Sequence, residues 1–295
     1  VLEDFQKQNP THELAEVTSR NLATIYRKND ELLKSAAKLE LVAANNVDTE
    51  MGRDAMLQAA ELYQLGESQA DALRVYTQYT EQFPSPAEDA IESYRIIADI
   101  YRSNNDFSNY YRYLRKVISA DANAGKGRTD RTRYLAAQSL LVLAEIDVNE
   151  FMAVELTRPF KKKLALKKKN MSTALDSLTR LLEYQVSITT TAATFYIAEI
   201  YLHFSQALAG SERPGGLNEL ELEQYELALE EQAYAFEEKA ISIYEKNTEL
   251  LDAGIHDPWV DKSIARLSTL FPAQYAKQEQ KSGYLKSLYA ADDRT

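Results

Sequence analysis

The sequence predicts an all-α protein, and three observations carry this prediction. Apolar residues follow helical spacing through most of the chain, and between Met56 and Tyr79 such positions are filled by Ala59, Ala60, Tyr63, Ala72, Leu73 and Tyr76. Sustained alternation of apolar and polar residues is lacking, and its nearest approach, residues 186–191, is expected to connect two helices. Only 9 Gly and 7 Pro occur in 295 residues, so most connections are expected to be short.

The composition is that of a folded, water-soluble chain. Charged residues make up 27% and hydrophobic residues 45%, with a formal net charge of -11 and a pI near 5.0. No stretch approaches the ~20 apolar residues of a membrane span, and no signal peptide is visible. Because there is no cysteine, disulfides, thiol catalysis and cysteine-based metal sites are excluded.

A repeat unit is visible in residues 53–86, which read RDAMLQAAELYQLGESQADALRVYTQYTEQFPSP. Each of two predicted helices carries a small residue and a tyrosine, and a proline closes the unit: Ala60, Tyr63, Ala72, Tyr76 and Pro84. This arrangement resembles the tetratricopeptide repeat (TPR). The resemblance implies a right-handed superhelical solenoid of antiparallel helix pairs (TPR-like), in which every pair needs a neighbour to cover its apolar face.

Looser copies of the unit follow. The frame fits again over residues 91–124, although Tyr110 stands where a small residue is usual and Ala122 where proline is usual. Divergent repeats are expected over about 131–185 and 191–250, and a capping helix over about 258–271. The chain 1–295 is therefore predicted to be a single domain, with irregular long-helix repeats in its C-terminal half.

No residues occur at catalytic or metal-binding spacing. The three histidines, His12, His203 and His256, are far apart in sequence, whereas zinc needs about four ligands. No nucleophile elbow, phosphate-binding loop or dinucleotide fingerprint is present. We therefore expect a protein that is not an enzyme and that uses no cofactor.

The family resemblance implies a peptide-binding groove lined by the inner helices of the repeats. The predicted lining is mixed in charge, which suits a polar peptide with both signs better than a polyanion. It consists of Asp54, Leu57, Glu61 and Gln64 from the first unit, Glu92, Arg95, Asp99 and Arg102 from the second, and Phe195, Glu199 and His203 from the fourth. The alternative is that these residues are ordinary exposed helix positions, and His203 an ordinary half-buried histidine.

Two further features qualify the groove. Chaperone-binding members of the family hold a terminal carboxylate with Lys and Asn, but Leu57 and Glu61 occupy the corresponding positions here, so this subclass is excluded. Residues 210–218, GSERPGGLN, form a loop. The loop is interpreted as a connection between repeats, with a mobile binding loop as the alternative.

A basic segment, residues 158–169, reads RPFKKKLALKKK and contains Arg158, Lys161, Lys162, Lys163, Lys167, Lys168 and Lys169. An apolar stripe on the same predicted helix places these lysines on the solvent face. The favoured interpretation is neutralisation within the fold by the glutamates of residues 218–239, with the acids Glu145, Asp147, Glu150 and Glu155 directly ahead of the lysines. The main alternative is binding of an acidic partner or a membrane surface through this basic face. Nucleic acid is not expected as a partner, since the chain as a whole is acidic.

The closing segment is similar to that of bacterial cell-envelope proteins built from these repeats. Its Trp–helix–Leu–Pro–Tyr pattern is matched by Trp259, Leu267, Leu270, Pro272 and Tyr275. The resemblance implies a periplasmic scaffold for protein partners, with peripheral or outer-membrane tethering through a segment ahead of Val1, and the cytoplasm as the alternative. Trp259 and Phe271 are expected to cover the last apolar face, although Trp259 as a partner anchor is a rival interpretation.

Overall fold

A computed structural model describes residues 1–9, 12–251 and 254–276, and the described part is helical without a β-strand. The all-α prediction is confirmed. Residues 277–295 of the predicted domain lie outside the described residues. The helices are α1 Leu2–Gln8, α2 Ala15–Lys28, α3 Leu32–Asn45, α4 Glu50–Leu65, α5 Gln69–Gln82, α6 Ala87–Ser103, α7 Phe107–Asn123, α8 Asp130–Met152, α9 Phe160–Leu182, α10 Ser187–Ala209, α11 Glu219–Glu249, α12 Pro258–Leu270 and α13 Pro272–Tyr275.

The chain divides into two compact units. Unit 1 comprises Val1–Ile146 with Glu183–Val186, and unit 2 comprises Asp147–Leu182 with the described part of Ser187–Thr295. Helices α1 to α7 of unit 1 pack against one another in chain order, and so do helices α9 to α13 of unit 2. This is the architecture of a helical repeat, and the prediction of a single domain stays a prediction.

In unit 1, helices α2 to α7 pack in chain order, and the predicted small and aromatic positions form its core. Ala59, Ala60, Ala72 and Tyr76 are each 0% exposed. The alanines allow close contact between helices, while the tyrosine ring fills the wider space beside them. Both well-defined repeats thus form helix pairs, α4 with α5 and α6 with α7.

A turn of one type joins the two helices of each pair in unit 1. It contains a non-glycine residue in the left-handed region: Asp30 at φ 61°, Glu67 at φ 60° and Asn105 at φ 59°. In each copy the following amide donates to a tyrosine carbonyl five residues earlier, namely that of Tyr26, Tyr63 and Tyr101. This is the Schellman ending of a helix. Its three occurrences identify α2–α3 as a further repeat ahead of the two that the sequence shows clearly.

Unit 2 contains the longer helices that the sequence predicts. Helices α9 and α10 each have 23 residues and α11 has 31. Helix α10 begins at Ser187, so residues 187–191 are helical and not part of a connection. The pairs α9–α10, α10–α11 and α11–α12 are in contact.

Helix α12 closes the packing of unit 2. Asp257 caps its N-terminus by accepting hydrogen bonds from the amides of Trp259 at 2.8 Å and Val260 at 3.1 Å. The half-buried Trp259 ring lies 5.6 Å from that of Phe195 and 5.1 Å from that of Tyr196. These contacts favour the interpretation of Trp259 as a cap. Phe271 differs from expectation, since it is 45% exposed.

Candidate functional site

A cleft of about 600 Å³ lies in unit 1 between α2, α3 and α4 and is referred to below as the α2–α4 cleft. Its floor is apolar and its rim carries both charges. The lining residues are Arg20, Ala23, Thr24, Arg27, Ser35, Leu39, Val42, Glu50, Met51, Asp54, Ala55 and Gln58. A recess of this size and composition accommodates a few side chains of a bound peptide.

Two local features bring the three helices of the cleft together. The buried Ser35 hydroxyl donates to the Ala23 carbonyl at 2.8 Å, which fastens α3 to α2. Gly52, in the first turn of α4, lies against the end of α3, where a Cβ atom would stand 2.0 Å from the Asn46 carbonyl oxygen. Because only glycine permits this approach, the sequence fixes how closely α4 meets α3 at one end of the cleft.

The rim of the cleft includes a cation without an ion partner. In the described part of the chain Arg27 has no carboxylate within ion-pairing distance, whereas Arg20 lies 3.8 Å from Glu16 and Asp54 lies 3.1 Å from Arg53. The pKa of Glu61 is raised, mainly by burial. The nearby Arg27 lowers this pKa by less, and Asp89 and Glu92 raise it further. Arg27 and Glu61 are thus two charges that a partner is able to satisfy.

A second recess, of about 490 Å³, lies between the end of α4, the start of α5, and α6. It brings together two residues predicted for the groove, Gln64 and Asp99. Both already have partners in the fold, because Gln64 accepts a hydrogen bond from the Tyr76 hydroxyl at 3.0 Å and Asp99 pairs with Arg95 at 3.1 Å. Recognition here would have to compete with these contacts.

Five predicted groove residues of unit 1 lie outside the linings of these two recesses: Leu57, Glu61, Glu92, Arg95 and Arg102. Leu57 is half-buried against the core, and the Arg102 guanidinium lies 5.9 Å from the Tyr110 ring centre. Glu92 pairs with Arg131 at 2.7 Å. Of the residues projected for the groove in unit 1, Asp54 lines the α2–α4 cleft, and Gln64 and Asp99 line the second recess. The groove itself stays a prediction.

The groove predicted for the fourth repeat is not open. Phe195 is 8% exposed and belongs to the core cluster that contains Tyr244, so its prediction as a groove residue is wrong. Glu199 accepts from the Tyr244 hydroxyl and pairs with Arg266 across to α12. Both residues hold α10, α11 and α12 together and do not face a ligand.

His203, the last of the predicted groove residues, is half-buried and lies edge-on to the Phe151 ring, with ring centres 5.5 Å apart. Its buried Nδ1 has no hydrogen-bond partner among the described residues. Burial lowers its pKa, and the nearby Lys167 lowers it further. These surroundings are those of a neutral core histidine.

The basic segment contains one residue that the sequence misplaces. Lys167 is 0% exposed, so its prediction as a solvent-facing lysine is wrong. Its ammonium donates to the carbonyls of Phe151 at 3.1 Å and Val154 at 2.7 Å and lies 4.3 Å from the centre of the Phe151 ring. Burial lowers the pKa of Lys167 to about 8.

The other lysines of the segment are solvated or half-buried. Arg158 pairs with Glu212 at 3.2 Å. Lys161, Lys162, Lys163, Lys168 and Lys169 form no ion pair with any residue that the structure describes, including the glutamates of α11. The expected neutralisation by direct pairing with residues 218–239 is therefore not found, and a smaller basic face without Lys167 is left open to solvent.

Chemistry at these sites is limited by their composition. Over residues 1–9, 12–251 and 254–276, no cluster of His, Asp or Glu has the arrangement of a metal site. Within the same ranges, no helix has both the length and the apolarity needed to cross a membrane. The site chemistry that is present is charge pairing and apolar contact.

The cleft residues on α2 and α3 were missed by the sequence frame. A usable signal exists, since Ala23 and Tyr26 precede Ala60 and Tyr63 by 37 positions each. The second helix hides the repeat, because at the same spacing of 37 residues Leu39 takes the place that Tyr76 has in the next pair. Without that aromatic residue, α2–α3 shows only half of the pattern.

No family model and no curated protein matches the sequence. Among solved structures, a Podosopora anserina protein described as a kinesin light chain with nearly identical TPR-like repeats is similar over 78% of this chain and 98% of its own, at 16% identity and a TM-score of 0.35. A single-substitution variant of that protein is similar over 77% of this chain and 98% of its own, at 16% identity and a TM-score of 0.36. Superposition at this level is partial, so the helical-repeat architecture rests on the helices, turns and contacts of this chain itself.

Proposed function

We propose that this chain is a non-catalytic protein–protein interaction scaffold and that the α2–α4 cleft receives a peptide of its partner. The observation that carries the proposal is the composition of the cleft: an apolar floor of about 600 Å³ beside Arg27, a cation with no ion partner among the described residues. Helical repeats present such open faces because each pair is covered only by its neighbours.

The cleft specifies the chemistry of the peptide. The apolar floor, with Leu39, Val42 and Met51, takes one or two apolar side chains. An acidic side chain next to them pairs with Arg27, and a basic one reaches Glu50 or Asp54 on the opposite rim. A peptide with both charges and a central apolar residue fits this arrangement.

We also propose that the protein works in a bacterial cell-envelope complex. The support is the closing pattern Trp259 to Tyr275, in which the Tyr275 hydroxyl donates to Glu245 on α11 at 2.9 Å. This contact makes the closing segment part of the packing of unit 2 and consistent with a capping role. We therefore propose that the protein is periplasmic or associated with the cell envelope.

A peptide-display selection tests the cleft directly. A random library is selected on the wild-type protein, and the enriched peptides are then measured against Arg27→Glu and against Lys126→Glu, an exposed control in the turn after α7. We expect enriched peptides to contain an acidic residue next to an apolar one, and Arg27→Glu to weaken them about tenfold while Lys126→Glu leaves them unchanged. Equal binding to both variants contradicts the proposal.

A second candidate function uses the basic face. Five lysines without ion pairs in the described chain, on α9 and at its start, favour an acidic partner or anionic headgroups. If this function is correct, the same selection enriches acidic peptides. These peptides should no longer bind the double variant Lys168→Gln, Lys169→Gln, but should still bind Arg27→Glu. That outcome moves the binding site from unit 1 to unit 2.

A further inference from the structure

Helix α11 exposes an apolar stripe at heptad spacing. Leu220, Leu227 and Tyr234 follow one another every seven residues and are 64%, 61% and 61% exposed. Positions seven apart lie on one side of a helix, since seven residues make nearly two turns. The three side chains therefore form one line about 21 Å long at 1.5 Å per residue.

Two residues of the stripe, Leu220 and Leu227, lie beyond the end of α10, and Tyr234 lies beside its last turn. Asn247 donates to the Thr191 carbonyl near the start of α10, and Phe236 packs on Phe204 with ring centres 4.8 Å apart. This antiparallel register matches Ala209, the last residue of α10, to about residue 231 of α11. Because α11 has 31 residues and α10 has 23, the first three turns of α11 extend beyond α10.

Beside the stripe is a shallow cleft of about 530 Å³ between the end of α10 and α11. Leu227, Tyr234, Ala209 and Ala233 supply its apolar lining, and three glutamates, Glu230, Glu231 and Glu237, surround it. Apolar surface and negative charge thus occupy the same face.

The charge of this face is one-sided. Residues 219–238 contain eight glutamates and neither lysine nor arginine. In the part of the chain that the structure describes, only Glu226 among the eight forms an ion pair, with Arg213 at 3.1 Å. Glutamates of this helix are therefore available to a cationic partner.

We propose that the α11 stripe, Leu220, Leu227 and Tyr234 with the glutamates beside it, is a docking surface for a basic amphipathic helix of a partner protein. A helix laid along the stripe places an apolar residue against each of the three side chains, and lysines or arginines on its flanks meet Glu223, Glu230 and Glu231. A second copy of α11 does not fit, because it would bring two rows of glutamates together. This surface lies in unit 2 and is independent of the α2–α4 cleft.

The test uses two synthetic peptides of about 21 residues, three heptads long, with leucines at the a and d positions. One carries lysine and the other glutamate at the flanking positions, and binding is followed by fluorescence anisotropy. We expect only the lysine peptide to bind the full-length protein. Its affinity falls when NaCl is raised from about 0.05 to 0.5 M, because surface charges are then screened.

Variants locate the binding. Replacing Leu220, Leu227 and Tyr234 by serine is expected to weaken the lysine peptide at least about tenfold, since these are the apolar anchors of the surface. The matched control makes the same replacement by serine at three other exposed apolar residues, Val47, Leu65 and Phe107, which are 59%, 67% and 47% exposed. This control should leave the affinity for the lysine peptide unchanged. Circular dichroism checks that both triple variants are folded.

Three results overturn the proposal. They are equal binding of the two peptides, equal binding by the stripe and control variants, and concentration-dependent dimerisation that only the stripe variant loses. Arg27→Glu should not alter binding of the lysine peptide, so failure of this surface is distinguishable from failure of the α2–α4 cleft.

Discussion

Lys167 shows how a single buried cation can organise a connection between helices. The last carbonyls of an α-helix have no hydrogen-bond partner within the helix. The Lys167 ammonium donates hydrogen bonds to the carbonyl of Phe151, at the end of α8, and to that of Val154 just beyond it. Asn170, one turn further along α9, donates to the Glu150 carbonyl at 3.0 Å. Together the two side chains of α9 close the end of α8.

Removing this ammonium should destabilise the protein. We expect Lys167→Ala to lower the free energy of unfolding by about 2 kcal/mol or more, since two carbonyls lose their donor and a cavity is left. The control is Lys168→Ala, on the next, exposed residue, which should change it by less than about 0.5 kcal/mol. Guanidinium denaturation measures both, and equal effects of the two changes would contradict the role given to Lys167.

The same pair of variants reports on the pKa of Lys167. Burial lowers this pKa in the folded state to about 8, against 10.5 for a free lysine. Between these values the unfolded chain binds more protons than the folded one, so the contribution of Lys167 to stability rises as pH increases from about 8 towards 10.5.

Measured at pH 7 and pH 10, the stability gap between wild type and Lys167→Ala should widen by on the order of 2 kcal/mol at the higher pH. Buried tyrosines also titrate in alkaline solution, but they are common to both proteins and cancel in the difference. The Lys168→Ala variant is measured in parallel as the control at an exposed position. A gap for Lys167→Ala that narrows at pH 10 contradicts the assignment.

At the scale of the element, the turns within the helix pairs place non-glycine residues in the left-handed conformation, which glycine adopts at lower cost. Glu67 has φ 60° and follows α4 at the position where glycine is usual. Gly254, at φ 75°, occupies the equivalent place after α11, where the Ile255 amide donates to the Leu250 carbonyl at 3.0 Å. The fold thus uses both solutions at the same kind of turn.

We expect Glu67→Gly to stabilise the protein by up to about 1 kcal/mol, because it relieves the cost of the left-handed conformation. Glu81→Gly, an exposed change in the last turn of α5, should instead cost about 0.5–1 kcal/mol. Thermal unfolding of the two variants gives the comparison. If Glu67→Gly lowers stability as much as Glu81→Gly does, the expectation for this turn is contradicted.

Helix pairs were predictable from sequence where both helices carry a small residue and an aromatic one. Ala60 with Tyr63 and Ala72 with Tyr76 satisfy this condition, and α4–α5 forms as expected. The pair α2–α3 was recognised only as helical, since Leu39 replaces the aromatic residue of its second helix. Periodicity alone also did not find the burial of Lys167, because the site depends on carbonyls that are free only at the end of another helix.

At the scale of the whole molecule, the two units differ in how their surfaces are used. In unit 1 the faces of successive helices leave recesses, and the α2–α4 cleft is lined by three elements. In unit 2, aromatic rings and the Glu199–Arg266 pair occupy the corresponding space between α10 and α12. The groove predicted for the fourth repeat is therefore filled, while the groove predicted for unit 1 stays a prediction.

The groove residues of unit 1 stay a prediction, and the structure shows which of the projected side chains already have partners. A repeat frame does not show which side chains are paired within the fold. Asp99 and Glu199 fit the frame, yet Arg95 and Arg266 neutralise them. Arg27, outside the recognised frame, lies on the rim of the α2–α4 cleft and has no ion partner among the described residues.

Site-specific photo-crosslinking tests the central claim, that the α2–α4 cleft receives a protein partner. A photoreactive phenylalanine replaces Met51, on the cleft rim, or Leu65, which is exposed outside that cleft, and adducts formed in cells are identified by mass spectrometry. The account predicts a discrete protein adduct at position 51 that is absent at position 65 and is lost when Arg27→Glu is added. Adducts of equal yield at both positions, or an adduct at 51 that is indifferent to Arg27→Glu, would contradict it.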